Sequence, residues 1–282
     1  MVIYSNGCSH TRGSCRNRYE DSYIYIFLSS LVGKGNFISK YNPSRENTHM
    51  VGPNPYKNLD SSLHYNIFDA DYGKSNDKIL YETYHSVLNS IREGVQIDYA
   101  IIQLTGPNRR MHWGPLGELI DVNLHDNVEL GPKFEPTATH HSIQQILILQ
   151  DLFRKHNIEY VFIPYMEFDR YSLSKNPFID MIDYSRVLGT FEDGHRNFFR
   201  KKLWVCDYAG HPNLIANYYL AQKVLNLFGF DDSLIGFWDY FSDTDVMFIN
   251  DESQFIKKYH DVLGDATSIQ IKKLKNNKKD LL

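Results

Sequence analysis

The sequence predicts an α/β fold built on a parallel sheet. Four short runs, rich in β-branched and aromatic residues, predict strands, and the segments between them carry helical periodicity. None of the runs alternates strictly between apolar and polar residues, which is typical of strands that are buried on both faces of a parallel sheet. The runs cover residues 2–4, 65–68, 99–104 and 160–165.

Helices are predicted where apolar residues recur at three- and four-residue steps. They are expected over about 21–31 and over 76–93, 140–156 and 213–230. Gly229 follows the last apolar stripe and is predicted to cap that helix at its C-terminus. Alternating strands and helices predict right-handed crossovers, so the strands share one direction. Ligands of such sheets bind beyond the carboxyl ends of the strands.

In the helix predicted over 76–93, the apolar residues define the face that is expected to point into the core. These residues are Leu80, Tyr84, Val87, Leu88 and Ile91.

The domain organisation follows from length and composition. With 282 residues, 42% of them hydrophobic, the chain can build one large core. We expect a domain over 1–230 and a C-terminal extension with a basic tail over 231–282. Residues 107–138 and 167–203 interrupt the strand–helix pattern, and we expect them to be insertions that wall or cover a pocket.

The net charge and the cysteine content limit the classes of partner and the cellular compartment that we expect for the protein. A net charge of -4 argues against nucleic acid as the main ligand. The three cysteines fit neither a disulfide framework nor a zinc pattern, which favours a reducing compartment. The start of the chain does not resemble a secretory signal, and the longest apolar segment, 23–33, is about half as long as a membrane span. We therefore expect a cytoplasmic protein without a membrane partner.

The residues that follow the predicted strands supply what acyl transfer needs. Ser9 follows the first strand, Gly73 the second and Asn108 the third, while Asp207 and His211 precede the last helix. A serine becomes nucleophilic when a neighbouring base takes its proton, and His211 can do so while Asp207 orients its ring. The main-chain amides of Ser9 and Gly73 and the side chain of Asn108 can donate hydrogen bonds to an oxyanion.

Serine, glycine, asparagine and histidine in this chain order resemble the four blocks of the SGNH hydrolase superfamily, also called the GDSL-type esterases. The resemblance covers about residues 1–230. It implies a three-layer α/β/α, flavodoxin-like sandwich with a central parallel sheet of about five strands. It also implies a serine hydrolase mechanism that uses no metal and no other cofactor.

The resemblance also implies the role of each matching residue. Ser9 would be the nucleophile, Gly73 and Asn108 would help to form the oxyanion hole, and Asp207 and His211 would complete the catalytic triad.

Three positions differ from the usual pattern of that superfamily. Cys8 stands where the superfamily usually has aspartate, and Arg109 stands where it has the acid after the asparagine. Asp207 lies four residues before His211, whereas the usual spacing is three.

Each matching residue also has a purely structural interpretation. Ser9 could cap a helix, and Gly73 could serve a turn. Asn108 could bond backbone groups of a loop, and Pro212 could simply begin a helix. The functional interpretation depends on all of these residues falling at strand ends in the order of the superfamily.

Other chemistries have candidates as well. Asp193 and His195 form a second acid–histidine pair, although a weakly amphipathic segment follows them. Cys8 is an alternative nucleophile, but a cysteine directly after glycine favours packing as a small apolar group. His140 and His141 could bind a metal, yet adjacent residues on a helix point in different directions.

The sequence predicts a serine esterase or O-acylhydrolase that acts on a small-molecule or carbohydrate ester. Arg109 and Trp113 could bind a carboxylate and a sugar or acyl group, or could belong to an ordinary surface loop. A catalytically inactive binding or structural module on the same fold is the main alternative. A flavodoxin-like nucleotide-binding protein is a third, although neither glycine-rich phosphate motif occurs in the sequence.

Overall fold

The computed structural model describes residues 1–7, 22–33, 35–41, 54–70, 74–107, 109–113, 119–123, 131–202, 205 and 211–230. The described strands are β1 Val2–Asn6, β2 Ile38–Tyr41, β3 Tyr65–Phe68, β4 Tyr99–Leu104, β5 Arg109–Trp113, β6 Leu119–Asn123 and β7 Glu159–Pro164. The described α-helices are α1 Tyr23–Val32, α2 Asn76–Arg92, α3 Gly131–Lys155, α4 Arg170–Ser174, α5 Gly194–Lys202 and α6 Leu214–Leu227.

Five strands form the central sheet, in the order β2-β3-β1-β4-β7, and every neighbouring pair is parallel. The predicted parallel α/β architecture is therefore confirmed. The four predicted runs coincide with β1, β3, β4 and β7 to within two residues at either end. Only two residues of β2 are apolar, Ile38 and Tyr41, and it lies at the edge of the sheet, where a strand needs no continuous apolar run.

The strands bury both faces, because successive side chains of a strand point to opposite sides. In β4, Ile101 belongs to one apolar core, while Ala100 and Ile102 belong to the other. The first core also contains α1 and α6, and the second contains α2 and α3. The molecule is thus a three-layer α/β/α sandwich of the flavodoxin-like type, as expected, and burial on both faces explains why the runs do not alternate.

The last helix, α6, has well-defined ends. At its start, the Asn213 side chain accepts a hydrogen bond of 3.1 Å from the amide of Ala216. At its end, the Phe230 amide donates to the Leu225 carbonyl over 2.8 Å, and the Gly229 amide donates to the Asn226 carbonyl over 3.1 Å. With a φ of 79° at Gly229, this is a Schellman motif, and the predicted glycine cap is confirmed.

Helix α2 forms where it was predicted, but a different face of it is buried. Tyr84, Leu88 and Ile91 are 39%, 39% and 41% exposed. Small hydroxyl residues lie on the buried face beside Ile79, Leu80 and Val87, and they satisfy their polar groups locally. They are Thr83, Ser86 and Ser90, which bond to the Ile79 carbonyl, the Tyr56 hydroxyl and the Val87 carbonyl. The predicted face was wrong for three residues because buried serine and threonine cannot be told from surface ones by polarity alone.

Both predicted insertions contain regular structure. Within 107–138, β5 and β6 form an antiparallel hairpin, and α3 begins at Gly131, earlier than predicted. Within 167–203, α4 and two single 3₁₀ turns lead to α5, a helix in the segment that the sequence predicted to be weakly amphipathic. Although α3 is 25 residues long, none of the helices in the described residues has the length and apolar character needed to cross a membrane.

Close backbone contact fixes the start of α5 against the end of β7. A Cβ atom on Gly194 would lie 2.7 Å from the Met166 carbonyl carbon and 2.8 Å from the Tyr165 oxygen. The φ of Gly194 is 58°, a conformation that favours glycine. The neighbouring Arg196 amide donates to the Tyr165 carbonyl over 2.7 Å. The helix therefore begins where the glycine lets two backbones meet.

We expect Gly194→Ala to lower the free energy of unfolding by about 3 kcal/mol or more, since left-handed strain and backbone overlap add. Gly94→Ala is the matched control, because Gly94 has a φ of 68° but open space around the Cβ position. It should cost only about 1 kcal/mol. Urea denaturation of both variants measures the difference, and equal losses would show that the contact at Gly194 is not restrictive.

Candidate active site

The carboxyl ends of the strands and the start of α6 lie at the same edge of the sheet. Phe228 and Phe230, just after α6, pack on Tyr99, the first residue of β4, with ring centroids 4.9 and 5.7 Å away. The 14 residues of α6 span about 21 Å, and the six residues of β4 span about 20 Å. Because the end of α6 lies at the amino end of β4, its start and the preceding His211 lie toward the carboxyl end.

Most of the predicted catalytic residues lie outside the described part of the chain. These residues are Ser9, Gly73, Asn108 and Asp207, and the alternative nucleophile Cys8 also lies outside it. His211 is described: it is half-buried and lies three residues before α6, next to the bridge that pairs Val205 with Pro212. Arg109 and Trp113 are the first and last residues of β5 and pair with Asn123 and Leu119 of β6.

The described residues that adjoin the predicted site form a buried polar cluster, which we call the Lys74 cluster. Its members come from the end of β1, from the segment after β3 and from α2. They are Tyr4, Asn6, Asp69, Lys74, Glu82 and Thr83. Lys74 directly follows Gly73, and Asn6 lies three residues before Ser9.

Asn6 is the central member of the Lys74 cluster. Its Oδ1 accepts hydrogen bonds from the Gly7 amide over 2.8 Å and from Lys74 Nζ over 2.9 Å. Its Nδ2 lies 2.9 Å from the Ile79 carbonyl and 3.1 Å from Thr83 Oγ1. Donors face Oδ1 and acceptors face Nδ2, so the amide has one favourable orientation. This side chain therefore fixes the end of β1 to helix α2.

The amino group of Lys74 is buried in the interior of the protein. The side chain is 1% exposed, and Nζ contacts Asn6 Oδ1, the main-chain oxygen of Asp69 and the carboxylate of Glu82. A buried charge is costly unless it is paired and hydrogen-bonded, and here three acceptors surround it. One ammonium group thus joins the ends of β1 and β3 to α2.

Tyr4 contributes its hydroxyl group to the Lys74 cluster. Its hydroxyl donates a hydrogen bond of 2.6 Å to Asp69 Oδ2, and it lies 3.0 Å from Asn6 Nδ2. Burial, and then the negative charge of Asp69, raise the pKa of Tyr4 well above its usual value. The tyrosine therefore remains a neutral hydrogen-bond donor over the whole range in which the protein would be assayed.

The end of β4 is fastened to the same helix by Asn76. The side chain of Asn76 donates to the Thr105 carbonyl over 2.9 Å and accepts from the Thr105 amide over 2.8 Å. Thr105 in turn lies next to Met166, whose methyl carbon would be 3.3 Å from a Cβ atom on Gly106. Three strand ends, those of β1, β3 and β4, are thus held beside one another by buried polar contacts.

The alternative pair of Asp193 and His195 does not form. Asp193 is 69% exposed and bonds to Arg170 over 2.9 Å. His195 is 8% exposed, and its Nδ1–H donates to the Pro164 carbonyl over 3.0 Å. Burial lowers the pKa of His195, and the bond to Pro164 opposes this with a smaller effect. This histidine ties α5 to the end of β7 as a neutral ring.

A different acid–histidine pair joins two helices. His141 Nδ1 lies 3.1 Å from Asp77 Oδ1, in the first turn of α2, while the ring of His140 packs against Phe178. The two adjacent histidines therefore have different partners, which argues against the metal site considered from the sequence. Nothing in the spacing of Asp77 and His141 could reveal the pair, because only the packing of α2 on α3 brings them together.

Comparisons with known proteins give little further information. No family model matches the chain, and no curated protein matches it. Among solved structures, the chain is similar to a member of the lipolytic protein G-D-S-L family from Veillonella parvula DSM 2008. The identity is 13% and the TM-score 0.40, with 81% of this chain and 98% of that chain covered. At this level the likeness by itself assigns no activity to the chain.

We expect Asn76→Ala to lower the free energy of unfolding by about 2–4 kcal/mol, because it leaves the buried amide and carbonyl of Thr105 unpaired. Asn89→Ala is the matched control on the same helix. Among the contacts described, the Asn89 side chain bonds only to the exposed Arg92 side chain, so its loss should change stability by about 0.5 kcal/mol or less. Similar losses in both variants, measured by urea denaturation, would contradict the assigned role of Asn76.

The buried His195 should make stability depend on pH. Its pKa is lower in the folded state than the value of about 6.5 expected in the unfolded chain. The unfolded state then binds more protons, so stability falls as the pH drops below about 6.5, by at most about 1.4 kcal/mol per pH unit.

His195→Gln should flatten this part of the pH profile, because glutamine does not titrate. The control is His85→Gln, which makes the same substitution at an exposed histidine. Urea denaturation compares the three proteins between about pH 5 and pH 8, the range in which histidine normally titrates. A profile of His195→Gln that remains parallel to that of the unaltered protein would contradict the assignment.

Proposed function

We propose that the protein is a serine esterase or O-acylhydrolase with Ser9 as nucleophile and His211 as general base. The observation that supports this proposal is the joining of three strand ends by buried polar contacts at one edge of the sheet. Ser9, Gly73 and Asn108 each lie within three residues of one of these fixed points, which are Asn6, Lys74 and Thr105. His211 lies toward the same edge.

The proposed reaction has two halves. Ser9 Oγ attacks the carbonyl carbon of the ester while its proton passes to His211, and the alcohol leaves with that proton. A water molecule then attacks the acyl-enzyme, again giving its proton to His211, and the acid is released as Ser9 regains its hydrogen. Asp207 holds the imidazole ring in the required tautomer and stabilises its protonated form.

The proposed oxyanion hole consists of the amides of Ser9 and Gly73 and the side chain of Asn108. Such donors are effective when they are held in place before the charge develops. The contacts of Asn6, Lys74 and Asn76 support this requirement, since they fasten the segments that precede or follow the donors.

The hairpin of β5 and β6 follows Asn108 directly and packs against α2. We propose Arg109 and Trp113, at the two ends of β5, as residues that contact the substrate. A tryptophan ring suits the face of a sugar, and a guanidinium suits a carboxylate. A carbohydrate O-acetyl group is therefore the substrate class we favour among small esters.

A catalytically inactive binding or structural module on the same fold is the second candidate. Arg109 after the asparagine and the four-residue spacing from Asp207 to His211 favour it, because both depart from the pattern of active SGNH hydrolases. Covalent labelling by a fluorophosphonate probe distinguishes the two functions.

A fluorophosphonate probe should label Ser9, and Ser9→Ala should lose both the labelling and at least about 1000-fold of the hydrolysis of a short-chain p-nitrophenyl ester. His211→Gln should show a similar loss. His141→Gln is the matched control, because His141 belongs to the other acid–histidine pair and should keep near-normal turnover. Folded protein that the probe does not label would favour the inactive module. Loss of activity in His141→Gln but not in His211→Gln would show that His211 is not the general base.

A further inference from the structure

The amino group of Lys74 has no role in the proposed reaction, yet it is buried, and Lys74 directly follows Gly73 in the sequence. We propose that Lys74 is a positioning residue, which holds the segment leading to Ser9 in its reactive geometry through the Asn6 side chain. This inference rests on the proposed esterase function and adds a residue that the catalytic motifs do not include.

Stability alone does not explain a lysine at this position. Burying an ion pair removes two charges from water, and apolar residues of similar size often serve a core equally well or better. Lys74 is 1% exposed and Glu82 11% exposed, so both partners bear much of this cost. What apolar side chains cannot provide is a hydrogen bond to Asn6 Oδ1.

The acceptor of that hydrogen bond is also the acceptor of the Gly7 amide. Asn6 Oδ1 lies 2.8 Å from the Gly7 nitrogen and 2.9 Å from Lys74 Nζ. Gly7 lies two residues before Ser9, and Lys74 lies one residue after Gly73. A single ammonium group therefore bridges the segment of the nucleophile and the segment of an oxyanion donor.

The remaining contacts of Lys74 make this bridge rigid. Nζ also bonds to the main-chain oxygen of Asp69, after β3, and to the Glu82 carboxylate on α2. With three acceptors, every N–H of the ammonium has a partner and the side chain has little freedom to move. Without the lysine, Asn6 Oδ1 would keep only the Gly7 amide of these two donors, and Asn6 would lose this contact with the segment after β3.

The test compares three variants. Lys74→Met removes the contact to Asn6 and also the ammonium group that faces the Glu82 carboxylate. Lys74→Met combined with Glu82→Met removes both charges, so we expect this double variant to fold even if the single one does not. Glu82→Gln is the matched control, because it removes the ion pair and leaves an amino group that still donates to Asn6.

The measurements are the rate of labelling by the fluorophosphonate probe, kcat and KM for the p-nitrophenyl ester, and Tm. Lys74→Met and the double variant should lose about tenfold or more in labelling rate and kcat, since small displacements of reacting groups cost this much. KM should change little, because Lys74 is buried and is not proposed to contact the substrate. Glu82→Gln should keep both rates within about threefold, even where its Tm falls, because the hydrogen bond to Asn6 remains.

Two results would overturn the inference. One is a folded double variant that reacts with the probe at the normal rate, because positioning would then need no lysine. The other is a loss of rate in Glu82→Gln as large as that in Lys74→Met, because the ion pair would then be the cause. Unaltered protein that is not labelled would instead remove the proposed function, and with it the site that Lys74 is inferred to position.

Discussion

The hydrogen bond between Lys74 Nζ and Asn6 Oδ1 is the interaction that connects two of the strand ends next to the candidate site. It is 2.9 Å long and buried, and it joins the segment after β1 to the segment after β3. The reciprocal contact between Asn76 and Thr105 adds the end of β4. A parallel sheet brings strand ends to one edge, and these polar contacts hold the described residues at the ends of β1, β3 and β4 to one another.

The apolar cores and the buried polar contacts have different roles. Two apolar clusters, one on each face of the sheet, provide the burial that drives folding. They tolerate small adjustments, because apolar contacts have no preferred direction. The Lys74 cluster is directional, and each of its groups is costly to bury without its partner. It therefore favours a single arrangement of the strand ends, which is the condition a preorganised catalytic site requires.

The sequence predicted the layers of the fold better than their details, for physical reasons. β1, β3, β4 and β7 were found because burial on both faces demands apolar residues throughout. β2 was not found because an edge strand has no such demand, and the buried face of α2 was misjudged because Thr83, Ser86 and Ser90 satisfy their hydroxyl groups inside the core. α5 was not predicted, because the backbone contact at Gly194 that fixes its start joins residues that are distant in the sequence.

For the candidate site, the order of Ser9, Gly73, Asn108 and His211 could be read from the chain, whereas the Lys74 cluster could not. A lysine is nearly always a surface residue, so Lys74 carried no signal until its three acceptors were seen around it.

Native-state hydrogen exchange of the Gly7 and Thr105 amides tests the central claim most directly. Both amides donate to buried asparagine side chains that fasten the strand ends. If these contacts form one rigid platform, both amides should exchange only when the whole protein unfolds, with an opening free energy equal to that of the slowest core amides of β4. The contrary result is exchange of either amide through a local opening. Its opening free energy would be several kcal/mol below the global free energy of unfolding, as in a fraying loop, and the contacts would then not form one rigid platform.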